Sequence, residues 1–282
     1  MKKKLKIIKS SGLSEEYSPE KLKRSLHLSG LAPSESEEVL TKVETEIIKD
    51  DGKAEETTEQ IFKKAREIVY KKSHLAGLKY SLKAAILDLG PTGFIFERFI
   101  AMALEYQGYK TKVDIILKGH CVNHEVDIYA QNIDSVILGE CKFHNIPNVK
   151  NDLKTALYVK ARMDDLKENK ENKFNEFYLI SNTSFSKDAI QYAHCSGLRL
   201  IGFNYPEKKN LYDIIEENYL YPITSLIHLK KSDITMLLDK GIIICKDLCE
   251  KVDELYALGY KREDAERILA DFKRISNWTC KT

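Results

Sequence analysis

Between Lys110 and Asn145 the chain reads as three strand-like runs in succession, "KTKVDIILKG", "HEVDIYAQN" and "SVILGECKFHN", joined by short polar turns. Valine, isoleucine and tyrosine alternating with polar residues fit a sheet rather than a helix. Whatever flanks these runs must therefore pack on a sheet in the middle of the chain. A turn at "NIDS", with Asn132 facing Ser135, sets Asp127 directly across from Glu140. Lys142, two residues beyond Glu140, projects from the same face. A slip of one residue would turn a strand over, so the juxtaposition rests on that turn.

A strand that only had to fold would carry valine or threonine at these positions. Two neighbouring carboxylates repel one another unless a cation lies between them. Oxygen ligands suit Mg²⁺ or Mn²⁺, which keep waters that a substrate phosphate can displace. A lysine beside such an ion can orient the attacking water or offset charge building on phosphorus. Phosphodiester hydrolysis needs those parts, a metal, a water and positive charge; the alternative is an exposed hairpin with a Glu–Lys surface pair.

The flanks extend the sheet. "FIFERFIAMALEYQGY" reads as a helix closed by Gly108 and carrying Glu97; "NDLKTALYVKARMDDLKE" follows the hairpin as a second helix. The strand "EFYLIS", the helix "SKDAIQYAHCSG" and the strand "LRLIGFN" complete an α-β-β-β-α-β-α-β order, a mixed sheet flanked by helices. Upstream, "LKIIKSSGLSEEY" reads as a hairpin. Four helices follow it, the first with Ser18 as N-cap and Pro19 at the first helical position, the third capped by Thr57 or Thr58. Downstream of Leu211, "DITMLLDKG", "CKDLCEKVDELYALG" and "KREDAERILADFKRI" read as short helices, two of them stopped by Gly241 and Gly259. The expected class is an α+β or α/β multidomain protein, with domains at 1–90, 91–210 and 211–282.

Asp127, followed after twelve residues by Glu140-Cys141-Lys142, resembles the D…(D/E)-x-K motif of the PD-(D/E)xK nucleases. From about Gly93 to Tyr205, "FERFIAMALEYQGY…HEVDIYA…LGECKFHN…LRLIGFN" is similar to the Mrr-like restriction endonuclease branch of that superfamily. The resemblance implies that Asp127 and Glu140 ligate the metal with the Cys141 carbonyl, that Lys142 is the catalytic lysine, and that Glu97 is the helical acid of the site. Val126 stands where the name-giving proline would be. His124 and His144, at the base of the hairpin, are either phosphate or supporting contacts or ordinary strand-end residues. Arg162, Lys154 and Tyr158 share the next helix and face either the phosphate backbone or solvent.

"IIKSSGLSEEYSPEKLKRSL" with "TTEQIFKKAREIVYKK" resembles the ATP-cone, a nucleotide-sensing module. Lys9, Gly12, Glu15, Ser18, Lys21 and Leu22 match it. The resemblance implies that Lys9 and Lys21 hold phosphates while Glu15 and the hairpin backbone meet base or ribose. Ser10-Ser11 replaces Arg-Asp of that family and removes one phosphate-binding charge. The glycine-bearing turns of the last region are similar to helix-hairpin-helix DNA-binding modules, and a small protein-interaction domain fits them equally.

These resemblances imply a Mg²⁺- or Mn²⁺-dependent DNA endonuclease with ATP or dATP as effector, and self-association is expected. A DNA-binding regulator with an inactive nuclease fold, or a nuclease for RNA or single strands, is the competing expectation. A net charge of +2 excludes a strongly basic coat for nucleic acid yet leaves room for a local basic channel. No G-x-x-x-x-G-K-[ST] loop exists, so bound ATP would be a ligand and not the fuel of a P-loop motor. No membrane span or secretion signal is expected, and the six cysteines are expected to be free thiols in a reducing cytoplasm.

Overall fold

The computed structural model describes residues 6–9, 12–48, 56–147, 149–276 and 280. Ser10 and Ser11 lie outside the described residues. The chain divides into two compact units, Met1–Leu82 and Lys83–Thr282.

In the first unit, β1 (Lys6–Ile8) pairs antiparallel with β2 (Ser14–Glu16), as the hairpin motif predicts. Ser18 caps α1 (Pro19–Leu28) through the Lys21 N–H. Next come α2 (Pro33–Ile48), β3 (Glu56–Thr57), α3 (Thr58–Lys72) and α4 (His74–Leu87), the last of which runs across the boundary at Leu82. Thr57 and Gln60 close a reciprocal capping box at the start of α3. β3 was not legible in the sequence: two residues pair parallel with β1, giving the order β2-β1-β3. Leu22, Leu26, Val39, Val43, Ile61 and Val69 are buried in one cluster and bring α1, α2 and α3 together.

The second unit is built on a five-stranded mixed sheet. Its elements begin with α5 (Phe94–Glu105), β4 (Lys110–Lys118), β5 (Asn123–Gln131), β6 (Val136–Lys142) and β7 (Lys150–Asn151). They continue with α6 (Leu153–Glu168), β8 (Glu176–Ser181), β9 (Ser184–Phe185), α7 (Lys187–Ser196) and β10 (Arg199–Ile201). The strand order is β10-β8-β6-β5-β4; β4, β5 and β6 run antiparallel, while β6, β8 and β10 run parallel. Val159, Met163 and Leu166 of α6 and Ala189 and Ala193 of α7 pack on one sheet face with Leu138, Phe177, Leu179 and Leu200. The alternation of these residues along β6 and β8 is what makes that face apolar.

The helical C-terminal part comprises α8 (Leu211–Asn218), a 3₁₀ turn at Ile223–Ser225, α9 (Lys231–Asp239), α10 (Cys245–Glu250), α11 (Asp253–Ala257) and α12 (Arg262–Ser276). "CKDLCEKVDELYALG" is two helices and not one, because the chain leaves helical geometry at Lys251. Gly241 and Gly259 take the left-handed conformation that ends α9 and α11. The expectation of six free thiols is corrected: Cys249 and Cys280, with Cα atoms 4.7 Å apart, form a disulfide. Among the described residues no helix is long and apolar enough to cross a membrane.

Candidate active site

The turn falls where the sequence puts it, with the Asn132 N–H bonded to the Ser135 carbonyl at 3.0 Å. The β5–β6 register follows from it: Gln131 faces Val136, Tyr129 faces Leu138 and Ile128 faces Gly139. One residue further on, the ladder gives way to a side chain. A carboxylate oxygen of Asp127 accepts the Cys141 N–H at 2.7 Å, which locks Asp127 against the strand that carries Glu140. Glu140 is 2% exposed. One of its oxygens accepts from the Lys142 ammonium at 2.6 Å and the other from Arg162.

Arg162 is therefore not a solvated helix residue. Its second guanidinium nitrogen donates to the Glu125 carbonyl, and its Cζ lies 5.7 Å from the Tyr158 ring centroid. α6 begins at an Asp152 cap, which sets the helix phase that turns Arg162 inward. Tyr158 is left 60% exposed as the outer lid of the guanidinium.

Glu97 comes from the first turn of α5 and lies close enough to Asp127 and Asp114 to feel both charges. Asp114 is a site residue that the sequence reading missed. Val113 pairs with Ile128 and Ile115 with Val126, so Asp114 stands opposite Asp127 in the register. Among the described residues it is also one of three non-glycine residues with positive φ, at 52°. Asp and Asn tolerate that conformation better than other side chains. The signal was present in the sequence, since "KVDII" repeats the pattern of "EVDIY" with an acid at the centre of an apolar strand.

Electrostatics follow from this crowding. Burial, and then the Asp127 and Asp114 charges, push the Glu97 carboxyl up to about 7. Burial and the neighbouring Glu140 push Asp127 to about 6, against the lowering effect of the Cys141 N–H, Lys142 and Arg162. With folded values above those of the unfolded chain, the native state holds protons between about pH 4 and pH 7 that the unfolded state has released. Stability then falls as pH rises through that window. Asp127→Asn should remove part of the penalty. Above pH 7 and in a chelator, the variant is expected to be about 1–2 kcal/mol more stable than the parent, with the difference vanishing below pH 4. Urea melts at both pH values measure it, and a variant no more stable at pH 8 would refute the assignment.

Both histidines have other partners. His124 Nε2 meets Asp165 of α6 at 2.7 Å, and the same carboxylate accepts the Cys121 and Val122 N–H groups. Those bonds, the Cys121 N–H first, hold the Asp165 carboxyl well below the usual carboxylate range. Gly119 is required there, because a Cβ would lie 2.6 Å from the Val122 carbonyl and 2.1 Å from an Asp165 oxygen. His124 thus staples the β4–β5 turn to α6. His144 Nε2 lies 3.0 Å from Asn151 Oδ1. In the first unit Glu15 gathers both predicted lysines, with Lys9 Nζ at 2.6 Å and Lys21 Nζ at 3.2 Å. Ser18 is occupied as the α1 cap and Gly12 takes a positive φ of 78° in the hairpin turn.

The carboxylates of Glu97, Asp127 and Glu140 are the oxygen ligands a hard divalent cation takes, and burial, then mutual repulsion, raises Glu97 and Asp127. As the side chains stand, Glu140 is turned to Lys142 and Arg162. No three His, Cys, Asp or Glu among the described residues surround a common point.

Comparison with known proteins places this architecture. An uncharacterized protein of Archaeoglobus fulgidus is 35% identical over 177 residues, which make up 62% of this chain and 99% of that protein. The crystal structure of AF1548, a protein of unknown function, superposes with a TM-score of 0.53 at 33% identity, covering 66% of this chain and all of its own. Two more distant structures each give a TM-score of 0.31. A repair endonuclease from Pyrococcus abyssi is 18% identical over 39% of this chain and 46% of its own. The MspJI restriction endonuclease bound to a 27-mer oligonucleotide is 14% identical over 57% of this chain and 40% of its own. At that distance neither carries an argument about this chain. The family model for the C-terminal part of AF1548-like proteins matches residues 221–276. With a relative matched at 35% identity over almost its whole length, the chain belongs to the AF1548-like family.

Proposed function

We propose that the protein is a divalent-metal-dependent endonuclease that hydrolyses DNA phosphodiester bonds at the β5–β6 hairpin. The observation that carries this reading is the meeting of Asp127, Glu140 and Lys142 at one end of the central sheet, with Glu97 brought up by α5. Asp127, Glu140 and the Cys141 carbonyl would hold Mg²⁺ or Mn²⁺, with Glu97 completing the set. The ion would supply Lewis acidity toward the phosphate and an acidified water. Lys142 presents a donor where charge develops on the phosphoryl oxygens. Arg162 fixes the Glu140 carboxylate, so the acid does not have to be ordered when substrate arrives.

The proposal extends to the first unit, where ATP or dATP would act as effector. What supports this is the convergence of Lys9 and Lys21 on the Glu15 carboxylate of β2, two cations that a polyphosphate would have to draw from that acid. Supercoiled plasmid incubated with the full chain tests both parts. Nicking or linearisation is expected with Mg²⁺ or Mn²⁺ and not with a chelator, and ATP or dATP is expected to change the rate. Plasmid left intact with either ion would overturn the nuclease reading. Cutting that is indifferent to nucleotide would overturn only the effector role.

A further inference from the structure

Behind the hairpin lies a buried polar group to which the proposed chemistry assigns nothing: Asn151, Ser181, Asn182 and Thr183, none more than 3% exposed. Buried polar side chains are costly unless satisfied, and here the partners dictate the direction of each bond. Asn151 Nδ2 lies 2.9 Å from Ser181 Oγ, 3.4 Å from Thr183 Oγ1 and 3.2 Å from the Ser184 carbonyl. A carbonyl can only accept, so the amide nitrogen must be the group on that side, and Oδ1 faces His144. His144 Nε2 must then carry a proton to donate to it. Ser181 Oγ donates to the Lys142 carbonyl at 2.7 Å, again with no choice of direction.

The result is a one-way chain of donors: His144 to Asn151, Asn151 to Ser181, and Ser181 to the backbone of Lys142. Asn182 closes it from outside, accepting the His144 N–H at 2.9 Å and donating to the His144 carbonyl at 2.7 Å. Lys142 is the last residue of β6 and the last rung of the β6–β8 ladder, opposite Ser181. A strand end is where backbone direction is least constrained, and the lysine works there. Hydrogen bonds in series in a dry interior strengthen one another and narrow the geometries available.

We infer that Ser181 and Asn151 are positioning residues for Lys142, holding the peptide that carries it so that the ammonium stays at the Glu140 carboxylate. The inference rests on the nuclease reading and names further residues for that same site. Neither side chain touches substrate; both act through the Lys142 backbone. Misplacement of a reacting group by a fraction of an ångström costs turnover more than binding.

The test is steady-state plasmid cleavage by the full chain in Mg²⁺, with kcat and KM resolved and thermal midpoints recorded. Ser181→Ala is expected to lower kcat about tenfold with KM within twofold of the parent. Ser181→Cys, which keeps a weak donor of nearly the same size, is expected to recover part of that loss. Asn151→Asp keeps the acceptor for His144 and removes the donor to Ser181, so it should lower kcat like Ser181→Ala. Parent kcat in both Ser181→Ala and Asn151→Asp overturns the inference, as does a loss that lies wholly in KM. A Ser181→Cys variant no faster than Ser181→Ala also counts against it, because returning a donor at that position then returns no rate. If the parent itself leaves plasmid uncut, the nuclease reading has failed, and that is seen before any variant is compared.

Discussion

Lys142→Ala is expected to cut DNA about 10²–10³-fold more slowly than the parent while binding it within a few-fold of the parent affinity. The size of the effect comes from where the ammonium sits. Its side chain is 35% exposed, so it can reach a substrate, and Nζ stands 2.6 Å from Glu140 Oε1, beside the carboxylates that would carry the ion. Affinity for DNA is spread over many phosphate contacts, so one lysine contributes little to it. The fold should tolerate the change, because Glu140 keeps Arg162 as its partner. Single-turnover plasmid cleavage, with anisotropy measurements of DNA binding in a chelator, separates the two quantities. A variant that cuts at the parent rate would remove Lys142 from the chemistry. Parallel loss of cutting and binding would make it a DNA contact and nothing more.

What the sequence could and could not reveal divides along a physical line. The register of β5 and β6 was legible because a tight turn with Asn132 at its start leaves one pairing that buries Ile128, Ala130 and Leu138. The cap at Ser18 was legible, and that of α3 to within Thr57 or Thr58, because short polar side chains before an amphipathic run serve as caps. Asp114 was missed although "KVDII" repeats "EVDIY", because an acid within a strand does not by itself say which partner it will face. Its place opposite Asp127 follows from the β4–β5 register, which the sequence leaves free. The histidines were set beside the acids by proximity along the chain. Their ring partners, Asp165 and Asn151, come from segments 41 and 7 residues away, which no strand pattern specifies. β3, β7 and β9 are two residues each, too short to leave a period.

Arg162 offers the largest expected effect on stability. Its side chain is 13% exposed, that of Glu140 3%, and the guanidinium also satisfies the Glu125 carbonyl. Removing one partner of a pair so nearly buried strands the other charge, a loss of about 3–5 kcal/mol in comparable sites. Lys142 remains to Glu140, which brings the expectation for Arg162→Met to about 2–4 kcal/mol. For a unit of about 200 residues that is a fall in thermal midpoint of roughly 4–16 °C. Arg162→Met with Glu140→Gln should be more stable than Arg162→Met alone, because no carboxylate is then left facing methionine in the interior. Both proteins should be inactive, one through lost positioning and the other through a lost ligand, so stability and cleavage part company in the double variant. Calorimetric melts of the two and of the parent decide it. If Arg162→Met melts with the parent, the guanidinium is not holding Glu140. The carboxylate would then be free to turn before any ion or substrate arrives.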